Sequence, residues 1–316
     1  MTLSPTAPFR VSRRAVARSL SLGLTLAGSA GLLAALSAGR AAAWAQAATP
    51  DAADDAYPDV EIVGKDFAFE LPAEIAGGLT RFRLINEGTF THHVIFLRLH
   101  DGVTQEQIDA AAQEPDYLPL LALGEPMGGP NAAPVGGSAT AIVDLPEGAY
   151  QVFCVIGDDQ EIPHYRHGMI APLTVTAAPA NQPKPMAERT IVLSDYAFHD
   201  LPAELPAGEH VWEITNAGPE IHELVVFRQA PGVTFDMIAG IFGAAPEGTP
   251  VAVASPPPGP PFMDVGGVTL MAPGVTNWAI LDLEAGDYFA ICFVLSPDHD
   301  KAPHFAFGMI QPLTIV

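Results

Sequence analysis

The sequence predicts an all-β protein built as two tandem Greek-key sandwiches. Three observations carry this: short stretches of alternating apolar and polar residues, frequent Pro and Gly between them, and an internal repeat that spans most of the chain. The alternating stretches are clear at Val60-Glu61-Ile62, Phe67-Ala68-Phe69, Arg81-Phe82-Arg83-Leu84-Ile85 and Ala141-Ile142-Val143-Asp144-Leu145. Tyr150 to Val155 is more continuously apolar, as an inner strand would be. The 31 Pro and 29 Gly punctuate these segments closely enough to leave room for little but short strands and turns.

The repeat is legible by eye. Asp66-Phe67-Ala68-Phe69 returns as Asp195-Tyr196-Ala197-Phe198, and Leu71-Pro72-Ala73-Glu74 as Leu201-Pro202-Ala203-Glu204. Asn86-Glu87-Gly88 followed by His92 returns as Asn216-Ala217-Gly218 followed by His222. Asp144-Leu145, Gly148 and Tyr150 return as Asp282-Leu283, Gly286 and Tyr288. Pro163-His164, Gly168-Met169-Ile170 and Pro172-Leu173-Thr174 return as Pro303-His304, Gly308-Met309-Ile310 and Pro312-Leu313-Thr314. Length differences fall between these anchors, chiefly from His92 to Gly128 against His222 to Gly266, which is where loops absorb them. One short helix per copy is expected there, at Thr104 to Gln113 and at Thr234 to Phe242. Pro250 to Pro261 reads as a surface loop of the second copy.

Four segments follow. Residues 1–47 read as an export signal: Arg10, Arg13, Arg14 and Arg18 precede an apolar stretch from Leu20 to Ala38, and Ala43-Trp44-Ala45 and Ala45-Gln46-Ala47 offer small-x-small cleavage sites. Ser12-Arg13-Arg14 hints at twin-arginine export. Residues 57–176 form the first domain, 177–188, with three prolines and no periodicity, the linker, and 189–316 the second domain. The expected location is the periplasm, the cell surface or the exterior.

Charge narrows the partners. The chain carries 14 basic and 36 acidic residues, a net charge of −22; without the first 47 residues, which hold five arginines and no acid, it is 9 − 36 = −27. Such a surface repels phosphate backbones and anionic lipid, so nucleic acid and membranes are poor partners and a basic protein partner suits it. Gly-rich phosphate loops, zinc-spaced Cys pairs and Ser-centred hydrolase elbows are absent from the sequence.

The chemistry-bearing residues recur with the repeat. Each copy has a His after an Asn-x-Gly turn, a Cys ending a strand that opens with Tyr, and Pro-His-x4-Met before the last strand. These are His92, Cys154, His164 and Met169, then His222, Cys292, His304 and Met309. Singly, each residue type is as well explained by packing; the matched recurrence of all four is what singles them out. Thr91-His92-His93-Val94-Ile95-Phe96 and Tyr150-Gln151-Val152-Phe153-Cys154 resemble the His-x-Val-x-Phe and Tyr-x-x-x-Cys strands of the cupredoxin (blue type 1 copper) family. The resemblance covers both copies. It implies a cupredoxin-like fold and copper as cofactor, one or two ions per chain, with Cys154 and Cys292 as thiolate ligands, His92, His164, His222 and His304 as imidazole ligands, and Met169 and Met309 axial. A thiolate and two imidazoles with a weak thioether suit both Cu(I) and Cu(II), so one-electron transfer is the implied activity.

The spacing departs from the family. Nine residues separate Cys154 from His164 and eleven separate Cys292 from His304, where blue-copper proteins use a few; the Pro before each His stiffens the return. The other six histidines, His93, His100, His167, His199, His210 and His299, have no counterpart in the other copy and read as non-ligands, with His93 and His167 in reserve should the register slip. A Cys154–Cys292 disulfide is not expected, because the two occupy equivalent inner positions of separate sandwiches. The His-x-His and His-Cys-His arrangements of multicopper oxidases are missing, which argues against an enzyme of that type. A metal-free binding module and a copper carrier or store remain open beside electron transfer.

Overall fold

The computed structural model describes residues 57–194, 196–244 and 259–316. The expected export signal (1–47) and most of the Pro-rich stretch from Pro250 to Pro261 lie outside the described residues.

The first half contains β1 (Asp59–Lys65), β2 (Ala68–Glu70), β3 (Glu74–Ala76), β4 (Gly78–Asn86), β5 (Ile95–Leu99), β6 (Gly124–Pro126), β7 (Ser138–Leu145), β8 (Gly148–Phe153) and β9 (Ile170–Thr176). The second contains β10 (Arg189–Ser194), β11 (Ala197–His199), β12 (Glu204–Leu205), β13 (Gly208–Asn216), β14 (His222–Gln229), β15 (Phe262–Met271), β16 (Thr276–Leu283), β17 (Gly286–Ile291) and β18 (Ile310–Ile315). β4 and β13 bury alternate residues, as strands with one face on a core must: Phe82 and Leu84 in the first, Trp212 and Ile214 in the second.

Each half is a sandwich. A five-stranded sheet, β3-β9-β8-β5-β6 or β12-β18-β17-β14-β15, packs against part of one shared eight-stranded sheet of order β11-β10-β13-β16-β7-β4-β1-β2. The two expected sandwiches are therefore present and are joined through this shared sheet. β7 and β16 pair antiparallel, with Ala141 opposite Ala279, and close what would otherwise be two open sheet edges. In the register of the repeat, Ala141 and Ala279 are equivalent residues, each three before its Asp-Leu pair. A second such pair, Pro130 and Val268, meets in a bridge, flanked by Asn131 N–H to Gly267 O (3.3 Å) and Thr269 N–H to Gly129 O (2.9 Å). Equivalent residues that face one another place a local two-fold axis between the copies, the geometry of an isologous dimer within one chain. A single apolar cluster, from Phe82 and Phe96 in the first half to Trp212 and Leu224 in the second, runs through both.

Expected helices appear at Gln105–Ala111 (α1) and Phe235–Phe242 (α3), N-capped by Thr104 and Thr234; a short helix at Leu118–Leu121 (α2) and 3-10 turns at His164–His167 and His304–Phe307 were not anticipated. Residues 177–188 carry no strand, but Gln182 hydrogen-bonds both backbone groups of Leu79 at 2.8 Å and so ties this segment to β4. Tyr150 and Tyr288 each donate their hydroxyl to the carbonyl four residues upstream, of Pro146 (2.7 Å) and Glu284 (2.8 Å), pinning the β7–β8 and β16–β17 corners.

Candidate metal centres

Each cluster starts from its Asn-x-Gly turn. Asn86 Oδ1 accepts the Gly88 N–H at 2.9 Å, and its Nδ2 donates to the carbonyls of Phe90 and Ala133. Asn216 repeats the pattern with Gly218, Glu220 and Met271. The turn delivers the first His inward, and the ring then lies against the turn's glycine. A Cβ on Gly88 would meet His92 Nε2 at 2.5 Å, and one on Gly218 would meet His222 Nε2 at 2.8 Å. The two strands differ in one respect. His222 opens β14, whereas His92 stands ahead of β5 in an isolated bridge to Ala133, so the strand expected from Thr91 to Phe96 begins only at Ile95.

The long loop to the second His is closed by the same four backbone bonds in both copies. Cys154 N–H donates to Met169 O, Tyr165 N–H to Cys154 O, His164 N–H to Ile156 O and Met169 N–H to His164 O. In the second copy Cys292, Phe305, His304 and Met309 bond to Met309, Cys292, Val294 and His304 in turn. Bridges between Gly157 and Pro163, and between Leu295 and Pro303, zip the loop stems, so the extra residues bulge at the tips and do not displace the His. Gly168 and Gly308 take φ of +110° and +106°, a left-handed cap from which Met169 and Met309 turn inward to full burial.

The result is two buried triads. His92, Cys154 and His164 present ligand atoms within 4.8 Å of one another, as do His222, Cys292 and His304. His92 Nδ1 lies 3.2 Å from His164 Nδ1, which is 3.5 Å from Cys154 Sγ; the second triad repeats these at 3.0 and 3.5 Å. All six residues are fully buried. With metal–nitrogen and metal–sulfur bonds of about 2.0 and 2.3 Å at trigonal angles, donor atoms stand roughly 3.5 Å apart, so the triads fit one small ion each with little movement.

Burial also sets protonation. It lowers the pKa of His92 and His304 and takes His164 down to about 4, leaving imidazole lone pairs free to bind a metal at neutral pH. Burial pushes the Cys292 thiol well up, with the Glu223 carboxylate adding to the effect, so the thiolate needs a cation beside it.

The surroundings differ between the triads. His164 sits against Phe67 and Phe90 (ring centroids 5.0 and 5.5 Å away), and its buried Nε2 has no hydrogen-bond partner. In the second copy Tyr196 and Glu220 take these places: Glu220 Oε2 is 3.1 Å from His304 Nε2, and the Tyr196 hydroxyl donates to Glu220 Oε1 at 2.6 Å. In the first copy Asp66 lies 3.3 Å from His92 Nε2. The first half also braces the second triad's loop, where Tyr117 Oη accepts the Leu295 N–H (3.0 Å) and Lys301 pairs with Asp116 (2.7 Å).

The eight sequence-predicted residues thus gather as two sets, with Met169 and Met309 held by backbone bonds to the Cys and His of their own triads. Cys154 and Cys292 form no disulfide, and none of the six unmatched histidines joins a triad. Sequence reasoning did not single out Asp66, Glu220, Tyr117 or Asn131 (below); an exchange such as Phe90 for Glu220 between copies was the available signal.

No protein-family profile matches the chain, and no curated protein matches it significantly. Solved structures do resemble parts of it. The reduced auracyanin of Roseiflexus castenholzii is 23% identical over 37% of this chain and 96% of its own, with a TM-score of 0.26. Auracyanin A, a "blue" copper protein of Chloroflexus aurantiacus, is 22% identical over 37% of this chain and 98% of its own (0.26). A blue copper oxidase of Nitrosomonas europaea is 14% identical over 82% of this chain and 85% of its own (0.24). Both halves of this chain are β-sandwiches that carry His, Cys, His and Met in the same order.

Proposed function

We propose that the protein is an exported copper protein that binds one copper ion at each triad and carries single electrons. The observation that carries this reading is the convergence, twice in one chain, of two neutral imidazoles and a thiol in a buried pocket beside a buried methionine. His92, Cys154 and His164 would hold one ion and His222, Cys292 and His304 the other, with Met169 and Met309 as axial thioethers. Copper would supply a one-electron couple that these ligands accommodate in both oxidation states.

The chain's own part is rigidity and exclusion. Four backbone bonds lock each Cys–His–Met loop, so the donor atoms have little room to rearrange on electron gain or loss. Phe67 and Phe90 keep water from His164, while Tyr196 and Glu220 orient His304 through its outer nitrogen. A net charge of −22 suits docking to a basic redox partner, and residues 1–47 support export to the periplasm, cell surface or exterior. Among the described residues no helix is long and apolar enough to cross a membrane.

The test is to load the chain from Ala48 onward with Cu(II) and record its visible spectrum with the metal content. The expected result is intense thiolate-to-copper absorption at about two copper per chain, with one equivalent lost in Cys154→Ser and one in Cys292→Ser. Copper retained without that absorption, and held as Cu(I), would favour carriage or storage; no copper retained would leave a metal-free module.

A further inference from the structure

The residue after each first histidine differs between the copies: His93 in the first, Glu223 in the second. Both are buried, at 4% and 5% exposure, and neither belongs to a triad. Each accepts the backbone N–H that follows its own copy's cysteine. Val155 N–H donates to His93 Nε2 at 3.0 Å, and Phe293 N–H donates to Glu223 Oε1 at 3.0 Å. Their other polar atoms then meet the same side chain, that of Asn131, which is 2% exposed beside the local two-fold axis. His93 Nδ1 is 3.3 Å from Asn131 Oδ1, and Asn131 Nδ2 donates to Glu223 Oε2 at 3.1 Å.

Donor and acceptor roles run consistently along this chain. Because His93 Nε2 accepts, Nδ1 carries the proton and donates to the amide oxygen; the amide nitrogen then donates to the carboxylate. An amide has an acceptor at one end and a donor at the other, so it can bridge a histidine and a carboxylate but not two copies of either. The single exchange between otherwise equivalent positions is what this bridge requires. The connection from one cysteine to the other is therefore two peptide bonds (Cys154–Val155 and Cys292–Phe293), four hydrogen bonds of 3.0 to 3.3 Å and three side chains, with no through-space gap.

We propose that His93, Asn131 and Glu223 form a relay that couples the two triads, so that an electron arriving at one is passed to the other inside the chain. This rests on the copper reading above. With copper held by the two triads, one ion would be oxidised from Cu(I) to Cu(II) as the other is reduced from Cu(II) to Cu(I), and no proton or atom would move. Each site has one carboxylate at the outer nitrogen of a triad imidazole, Asp66 at His92 (3.3 Å) and Glu220 at His304 (3.1 Å), so the direction of transfer is set by whichever site has the higher potential. Coupling through contiguous bonded groups is the physical basis of the relay.

The experiment uses the full mature chain loaded with copper at both sites, each verified by its own thiolate band. A flash-generated reductant introduces less than one electron per chain, and redistribution between the bands is followed. Asn131→Leu is expected to slow redistribution by about tenfold or more, with both bands and both potentials unchanged. Glu223→Gln, whose second amide would set donor against donor, also removes the charge beside Cys292, so its rate is compared at matched driving force; slower redistribution there guards against a folding defect in the first variant. In the metal-free protein the same variants should speed hydrogen exchange at the Val155 and Phe293 amides, with global stability measured in parallel. Unchanged redistribution with both bands intact would overturn the relay and leave the copper reading standing. Absence of the thiolate bands would overturn both.

Discussion

The two triads have the same donor atoms, the same backbone ladder and nearly the same internal distances, yet they sit in different dielectric surroundings. The first has phenyl rings where the second has a phenol and a carboxylate: Phe67 against Tyr196, Phe90 against Glu220. Duplication preserved what builds the pocket and let the second layer diverge. Geometry at such a site is demanding, because a displaced donor loses the metal, whereas the outer layer only shifts the balance between oxidation states. The contrast lies in which imidazole carries the carboxylate: Asp66 stands beside the first histidine of the first triad, His92, and Glu220 beside the second histidine of the second triad, His304.

The largest expected effect that separates the triads is acid sensitivity of the metal-free protein. His164 has a folded pKa of about 4, below its unfolded value of 6.5, so on acidification the unfolded chain takes up the proton first. Stability should therefore fall as pH drops from 6.5 toward 4 and level below that, by roughly 3 kcal/mol at most from this residue. Phe90→Glu, which gives His164 the partner that His304 has, should flatten this fall; denaturant melts between pH 7 and 4 measure it. No change in slope would mean that the apolar box is not what holds the proton off.

Next in size is the crowding at the turn glycines. Gly88→Ala and Gly218→Ala should each cost about 1–3 kcal/mol by pressing a methyl into the first histidine. The cost should be greater at Gly88, where the gap to the ring is smaller and Asp66 also stands in the way. Thermal melts and metal affinity of the two variants report it; equal losses would show that the first turn relaxes as easily as the second.

The redox contrast is smaller in energy. With copper bound as proposed, Glu220→Gln should raise the potential of the second site on the order of 50 mV, equivalent to roughly 1 kcal/mol for one electron. Potentiometric titration of the two bands decides it, and an unmoved potential would show that Glu220 does not tune the second site. Smallest, and equal in both halves, should be Tyr150→Phe and Tyr288→Phe, each losing about 1 kcal/mol with its corner hydrogen bond. Unequal losses in denaturant melts would show that divergence reaches beyond the pockets.

Much of this was legible in the sequence because it is local. Asn-x-Gly-x3-His encodes a turn whose amide side chain closes on its own backbone and whose glycine clears the ring. Pro-His-x4-Met was legible only as a recurring motif; that it folds as a 3-10 turn capped by glycine came from the structure. Alternating apolar residues encode strands with one buried face. These patterns depend on neighbours a few residues away, and the repeat displayed them twice. The strand ahead of His92 was misjudged for the opposite reason: its ladder partner, Ala133, lies in a segment that also docks on the other half.

By itself the sequence determined a duplicated β-sandwich and the matched recurrence of His, Cys, His and Met in its two copies. Only the tertiary structure decided that the long Cys-to-His loops return their histidines to the pocket, since that depends on stem bridges such as Gly157 to Pro163 that spacing does not reveal. It also decided that the halves share one sheet about a local two-fold axis, and that His93, Asn131 and Glu223 meet there. Those three residues come from distant parts of the chain, and no periodicity connects them. Their meeting is fixed by Ala141 packing opposite Ala279, a register set by the docking of two folded surfaces.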